Sequence, residues 1–252
     1  MEKNIDIYNE NEECIIKAKM FYKSEGTLNK HFCVFCHGYY SGKESNSIKV
    51  VANELLKHDI YSISFDFPGH LDSVQGVEKL TVKVCISYIN SVINYIKEKY
   101  GKDTKISFFA ISFGAYILLN KLIGDKSEYE HIILRSPAIN MKDIFVKCLL
   151  KEPLEDFRKN GKGKTGRDGK MEVPYTFYEE LLNNDVIKTY HEKRKILILQ
   201  GSLDDTAPIE ETYNFIKDKP EIELIEFADL KHHMSVEEIN LITTKLIEKL
   251  RL

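Results

Sequence analysis

The chain has 252 residues, 43% of them hydrophobic, which suffices for one large α/β domain or two small ones around a substantial core. Charged residues make up 30% and the net charge is −3, so the electrostatic footprint of a nucleic-acid binder or of a protein held on an anionic membrane is not expected. No apolar stretch approaches the ~20 residues of a membrane span. The first residues lack the apolar region of a signal peptide, and a cytoplasmic location is the expectation.

The five cysteines, Cys14, Cys33, Cys36, Cys85 and Cys148, are odd in number and scattered, which points to reduced, packed thiols rather than a disulfide framework. Cys33 and Cys36 have C-x-x-C spacing but lie in an apolar run of strand type, where positions three apart face opposite sides. Neither a metal nor an organic cofactor is expected.

Residues 13–23 partly alternate and suit an early strand at a sheet edge, and residues 31–37 are nearly all apolar, as in a strand covered on both faces. That second strand ends in His37-Gly38-Tyr39-Tyr40-Ser41-Gly42. Helical spacing follows over 46–58 (Ile48, Val51, Ala52, Leu55), then a strand over 59–65 that runs into Asp66-Phe67-Pro68-Gly69-His70-Leu71-Asp72-Ser73. Residues 79–100 carry one long apolar stripe (Val84, Tyr88, Ile89, Val92, Ile93, Ile96) and predict a helix laid on the sheet.

Residues 105–111 are again of strand type, and at Ala110-Ile111-Ser112-Phe113-Gly114 they meet a small-x-Ser-x-small pentapeptide, followed by a helical stretch from Ala115. A serine at such a strand-to-helix turn has its hydroxyl lifted clear of the sheet, and the helix beginning after it aims backbone N–H groups at the same spot. Taken by itself the pentapeptide also fits a buried serine bonded to its own helix.

Another strand is predicted over 131–135. The alternation of strands and helices implies a doubly wound, mostly parallel sheet with its ligand crevice at the carboxyl ends of the strands. Residues 138–194 break the rhythm: two helical pieces, about 139–159 and 175–190, flank the glycine-lysine tract 158–170, for which mobility is expected. The tract is not a phosphate-binding loop, because Gly163-Lys164-Thr165 would need a glycine where Arg158 stands, and a solvated hairpin tip is the first reading. Regular order returns with a strand over 195–200, the segment Gly201-Ser202-Leu203-Asp204-Asp205-Thr206-Ala207-Pro208, a helix over 208–217 and a strand over 222–227. The loop holding His232 and His233 comes next, and Ser235-x-x-Glu238 forms a capping box for a last helix over 236–251.

These four loops, His37-Gly38, the Ser112 turn, the Asp204 segment and the His232-His233 loop, resemble in type, order and position those of the α/β-hydrolase superfamily, over nearly the whole chain. Ala110 stands where the superfamily usually has the first glycine of its nucleophile elbow, and Leu71 replaces a glycine in the Asp66–Ser73 loop, which in the family is mainly structural. The resemblance implies an α/β-hydrolase core of residues 1–137 and 195–252 with a short helical lid over 138–194 in the same domain. It further implies Ser112 as nucleophile, Asp204 as acid and His232, or alternatively His233, as base. The backbone amides of Tyr39 and Phe113 would be the oxyanion donors, with His37, Gly38 and Gly114 as supporting loop residues. The implied function is hydrolysis of carboxylic esters of small to medium acyl groups through an acyl-enzyme. Thioesterase, peptidase or amidase action stays open on the same residues, and a non-catalytic binding protein is the reading of another class. The expected partner is a small-molecule ester or thioester. No nucleic acid and no stable membrane association are expected, and homodimerisation stays open.

Overall fold

A computed structural model describes residues 1–24, 30–166 and 168–252. Its centre is an eight-stranded sheet. In chain order the strands are β1 (Glu2–Asn9), β2 (Cys14–Phe21), β3 (His31–Cys36), β4 (Tyr61–Phe65), β5 (Lys105–Ile111), β6 (Ile132–Arg135), then, after two short strands outside the sheet, β9 (Ile196–Gly201) and β10 (Ile222–Phe227). Spatially they run β1-β2-β4-β3-β5-β6-β9-β10, antiparallel from β1 to β4 and parallel from β4 onward.

The strand expected at the sheet edge is β2, and here the structure differs. β2 is flanked on both sides, and the edge is β1, paired with β2 in the register Ile5↔Ala18 and Ile7↔Ile16. β1 alternates charged residues with its apolar ones, which lets a strand occupy an open edge without recruiting another chain.

The central strands are buried on both faces, and their side chains sort by the two-residue period. Phe32, Val34 and Cys36 of β3 and Phe108 and Ala110 of β5 join one core, whereas Cys33, Phe35, Phe109 and Ile111 join the other. The first core is covered by α2 (Val82–Tyr100) and α3 (Phe113–Leu122), the second by α1 (Asn46–Lys57) and α9 (Val236–Leu250). Cys33 and Cys36 thus sit on opposite faces, and burial pushes both thiols well above their usual range. Helix starts follow the local chemistry: Ser45 caps α1, Thr81 caps α2, and Ser235 with Glu238 forms a reciprocal capping box on α9.

Between β6 and β9, residues 138–194 form α4 (Met141–Ile144), which continues as a π-helical turn over Phe145–Leu149, then α5 (Leu154–Asn160), a hairpin of β7 (Lys162–Thr165) and β8 (Met171–Pro174), α6 (Tyr175–Asn183) and α7 (Val186–Thr189). One finding corrects the expectation for this stretch. The helical piece over 139–159 breaks at Leu150, which is extended ahead of Pro153. The glycine-lysine tract is a paired hairpin, with Lys162↔Pro174 and Thr165↔Met171 in register and Gly166 and Gly169 taking the left-handed turn positions at φ 84° and 68°. Arg167 lies outside the described residues. Phe145, Phe157, Val173 and Phe177 bury their rings and methyls in the same core that α2 and α3 cover. A large apolar side chain so buried contributes roughly 1.5–3 kcal/mol. Among the described residues no helix is long and apolar enough to cross a membrane. α8 (Ile209–Ile216) completes the fold after the Asp204 loop.

Candidate active site

The register of β3 against β5 pairs Cys36 with Ala110, so two residues further on Gly38 comes alongside Ser112. A Cβ at Gly38 would lie 3.5 Å from the Ser112 Cβ, an ordinary contact but one that faces the hydroxyl-bearing side chain. Ser112 has φ 50° and ψ −113°, a conformation L residues rarely adopt, which costs of order 1–3 kcal/mol and is held by bonds on both sides. Its N–H donates to the Arg135 carbonyl at 3.0 Å, and its own carbonyl accepts from Ala115 at 3.0 Å and Ala138 at 3.2 Å. The turn fits against β3 only because residue 114 is glycine: a Cβ there would stand 2.4 Å from the Cys36 carbonyl oxygen and 2.6 Å from that of His37.

The Asp204 and His232 loops leave β9 and β10, which are paired to their last residues, Gly201 against Phe227. Gly201 passes so close to Leu230 that a Cβ would sit 2.1 Å from its carbonyl oxygen, and the Leu203 amide donates to that same oxygen at 3.0 Å. The two loops are therefore bonded to each other. The Asp204 carboxylate accepts the amides of Ala207 at 2.8 Å and Thr206 at 3.1 Å. Burial pushes this carboxyl up, but the hydrogen bond and charge of His232 and the two amides outweigh it and hold the group below the ordinary carboxylate range.

His232 lies between the two. Its Nδ1 is 2.9 and 3.0 Å from the Asp204 oxygens and its Nε2 is 3.0 Å from Ser112 Oγ. An ionised carboxylate only accepts, so Nδ1 carries the proton and Nε2 is the acceptor for the serine hydroxyl. All three side chains are buried. His233 is exposed, its ring edge-on to that of His232 at 5.4 Å. The structure thus brings together Ser112, Asp204 and His232, and leaves His233 on the wall of the cleft.

Tyr39 and Phe113 follow Gly38 and Ser112 directly. The Phe113 amide opens α3 and has no acceptor within the helix, and among the described residues the Tyr39 amide forms no hydrogen bond. His37 is fully buried: its Nε2 accepts the Phe67 amide at 2.9 Å while Nδ1 donates to the Gly38 carbonyl at 2.8 Å. Burial, with the charge of Lys43 adding to it, pushes this imidazole down to about 4 despite the Gly38 bond. It ties the β3 and β4 loops together. Asp66 accepts Lys43 through its amide at 2.7 Å and its ammonium at 2.6 Å, both groups buried, and His70 bonds the Pro68 carbonyl at 2.9 Å. Both belong to loop architecture.

Arg135 and Gln200, which the reading of the sequence passes over, also serve the site. Arg135, buried at the end of β6, donates through Nη1 to the His232 carbonyl at 3.3 Å. Gln200, buried at the end of β9, donates to the Ala207 carbonyl and accepts from Thr212, both at 2.6 Å, beneath the Asp204 loop. The signal for both is the same: one polar side chain closing an otherwise apolar strand.

Above Ser112 and His232 opens a cleft of about 570 Å³, walled by Tyr39, Tyr40, Met141 and Ile144 among others. Among the described residues no cluster of three or more His, Cys, Asp or Glu side chains could hold a metal.

The family described as serine aminopeptidase, S33, matches residues 28–172. No curated protein matches the chain significantly. Among solved structures the chain is similar to Est1E from Butyrivibrio proteoclasticus with ferulic acid bound (TM-score 0.79, 18% identity, 98% of this chain and 100% of that one). It is also similar to α/β hydrolase domain-containing protein 10 from mouse (0.78, 16%, 99% and 98%) and to the monoacylglycerol lipase of Paleococcus ferrophilus (0.68, 16%, 93% and 98%). At these identities the likeness is one of fold. The family match spans more than half of the chain, which therefore belongs to the serine aminopeptidase, S33, family and is an α/β-hydrolase superfamily serine hydrolase.

Proposed function

We propose that this hydrolase cleaves carboxylic esters of small to medium acyl groups through an acyl-enzyme on Ser112. The observation that carries the reading is His232, whose two ring nitrogens reach Ser112 Oγ at 3.0 Å and the Asp204 carboxylate at 2.9 Å.

In this scheme Ser112 Oγ attacks the ester carbonyl carbon as its proton passes to His232 Nε2, and the proton then goes to the departing alkoxide. Asp204 holds the imidazole in the required tautomer and stabilises the imidazolium. Water, deprotonated by His232 in turn, releases the acid. The amides of Tyr39 and Phe113 receive the oxyanion, each worth on the order of 3 kcal/mol when well aligned. Residues 138–194 act as a short lid whose Met141 and Ile144 offer the acyl group an apolar wall.

Esters are preferred as substrates because the cleft is open and of modest volume, and because esterases and a lipase share the fold. Thioesters fit the same scheme. Turnover of p-nitrophenyl acetate, butyrate and octanoate, with fluorophosphonate labelling of wild type and Ser112→Ala, tests the reading. Turnover and label that both vanish with Ser112 support it. A wild type that neither turns over nor labels sinks it in favour of a binding protein, and aminoacyl p-nitroanilide cleavage without ester cleavage replaces it with an aminopeptidase.

A further inference from the structure

The loop that carries the Tyr39 amide is fastened to the β7–β8 hairpin by its two tyrosines. The Tyr39 hydroxyl donates to Thr165 Oγ1 at 2.7 Å, and Thr165 Oγ1 donates in turn to the Met171 carbonyl across the hairpin at 3.0 Å. Thr165 is fully buried, and burial keeps the Tyr39 phenol protonated by pushing it well above its usual range, so it remains a donor. Its ring packs edge-on against Phe113 at 5.7 Å and stacks on Phe177 of α6 at 6.1 Å. One side chain thus touches the residues of both proposed oxyanion donors and two elements of the 138–194 segment.

Tyr40 repeats the attachment. Its hydroxyl donates to Asp168 Oδ1 at 2.5 Å, and its ring lies over Gly166, where a Cβ would come within 2.8 Å of Tyr40 Cδ2. Tyr40 has φ 57°, a left-handed conformation that a tyrosine holds only when its surroundings impose it.

We infer that the β7–β8 hairpin positions the oxyanion loop, and that Thr165 is a positioning residue for the Tyr39 amide through its hydrogen bond to the Tyr39 hydroxyl. The inference rests on the ester-hydrolase reading above. Its consequence follows from when oxyanion donors matter. They bond the tetrahedral species more strongly than the ground-state carbonyl, so a loosened Tyr39 lowers kcat and leaves KM nearly unchanged.

The test compares wild type, Thr165→Val, Thr165→Ser, Tyr39→Phe and the Thr165→Val/Tyr39→Phe pair on p-nitrophenyl butyrate, with thermal unfolding of each. Thr165→Val and Tyr39→Phe should each lower kcat about 10-fold with KM within about 2-fold, the order expected of a displaced oxyanion donor. The pair should lose no more than either alone, because both remove one bond. Thr165→Ser, which keeps the hydroxyl, should retain activity. Affinity for a trifluoromethyl ketone, which forms a tetrahedral adduct on the serine, should weaken in parallel with kcat. Unchanged kcat in Thr165→Val and in Tyr39→Phe, a loss confined to KM, or additive losses in the pair overturns the inference while the esterase stands. Should Thr165→Val fail to fold, Tyr39→Phe and Thr165→Ser decide by the same readouts. A wild type without turnover or fluorophosphonate label removes the esterase reading and this inference with it.

Discussion

The Arg135 guanidinium, buried at the end of β6, holds the carbonyl oxygen of His232 at 3.3 Å and reaches the Met234 sulfur at 3.2 Å, while its Nε has no partner among the described residues. Burial pushes this group down to about 10, with the charge of Asp204 acting the other way. It is a buried cation that spends its bonds on positioning a loop rather than on an ion pair. Arg135→Met should therefore leave the melting temperature unchanged or raised, since replacing a buried charge by apolar volume is often neutral or stabilising. The same variant should lower kcat roughly 10-fold as the His232 loop loses its register. Calorimetry and ester turnover on one preparation check both halves.

The two histidines should separate cleanly. His232→Gln is expected to lower kcat by about 10³-fold or more, because it removes the proposed base, the imidazole between Ser112 and Asp204. The exposed His233→Gln should change it by less than about 3-fold and leave stability within ~0.5 kcal/mol. Steady-state kinetics of the two single variants suffices.

Gly38 and Gly114 stand one strand apart but have opposite reasons to be glycine. At Gly114 an added Cβ would press on backbone carbonyl oxygens at 2.4 and 2.6 Å, which cannot yield, so Gly114→Ala should destabilise by about 3 kcal/mol or more. At Gly38 the nearest atom would be Ser112 Cβ at 3.5 Å, so Gly38→Ala should fold within about 1 kcal/mol of wild type and lose turnover instead. Urea unfolding beside ester turnover distinguishes the two.

Acid should weaken the fold well above the carboxylate range. Burial pushes His31 and His37 down to about 4 and His70 to about 3, each from an ordinary value of 6.5. Between those values the unfolded chain binds protons that the folded one refuses, so stability is full above pH 6.5 and falls as pH drops toward 4. The slope approaches 1.4 kcal/mol per pH unit for each such histidine. Urea midpoints from pH 7.5 to 4 should show the decline, and His31→Gln, at the amino end of β3 and away from the cleft, should flatten it.

The order of elements is legible in the sequence because the central strands are buried on both faces and so read as largely apolar runs, as in 31–37, 105–111 and 195–200. The loops that hold Ser112, Asp204 and His232 are legible for a related reason: glycine, proline and polar residues gather where those runs stop. Contacts between distant segments leave no such local trace. Adjacent in the chain and identical in type, His232 and His233 are distinguished by tertiary contacts, among them the Leu203–Leu230 bond, the Gly201 approach and the Arg135 bond to the His232 carbonyl, which leave one ring between Ser112 and Asp204. Arg135 resembles any strand-ending charge until β6 lies beside the His232 loop. The lysines and glycines of 158–170 suggest a hairpin tip, but nothing local shows that 162–165 pairs with 171–174 or that Tyr39 and Tyr40 reach across to it. Local patterning determined which elements form and where they end. Tertiary packing decided which side chains meet, because those meetings depend on strand register and on glycines that let backbones touch.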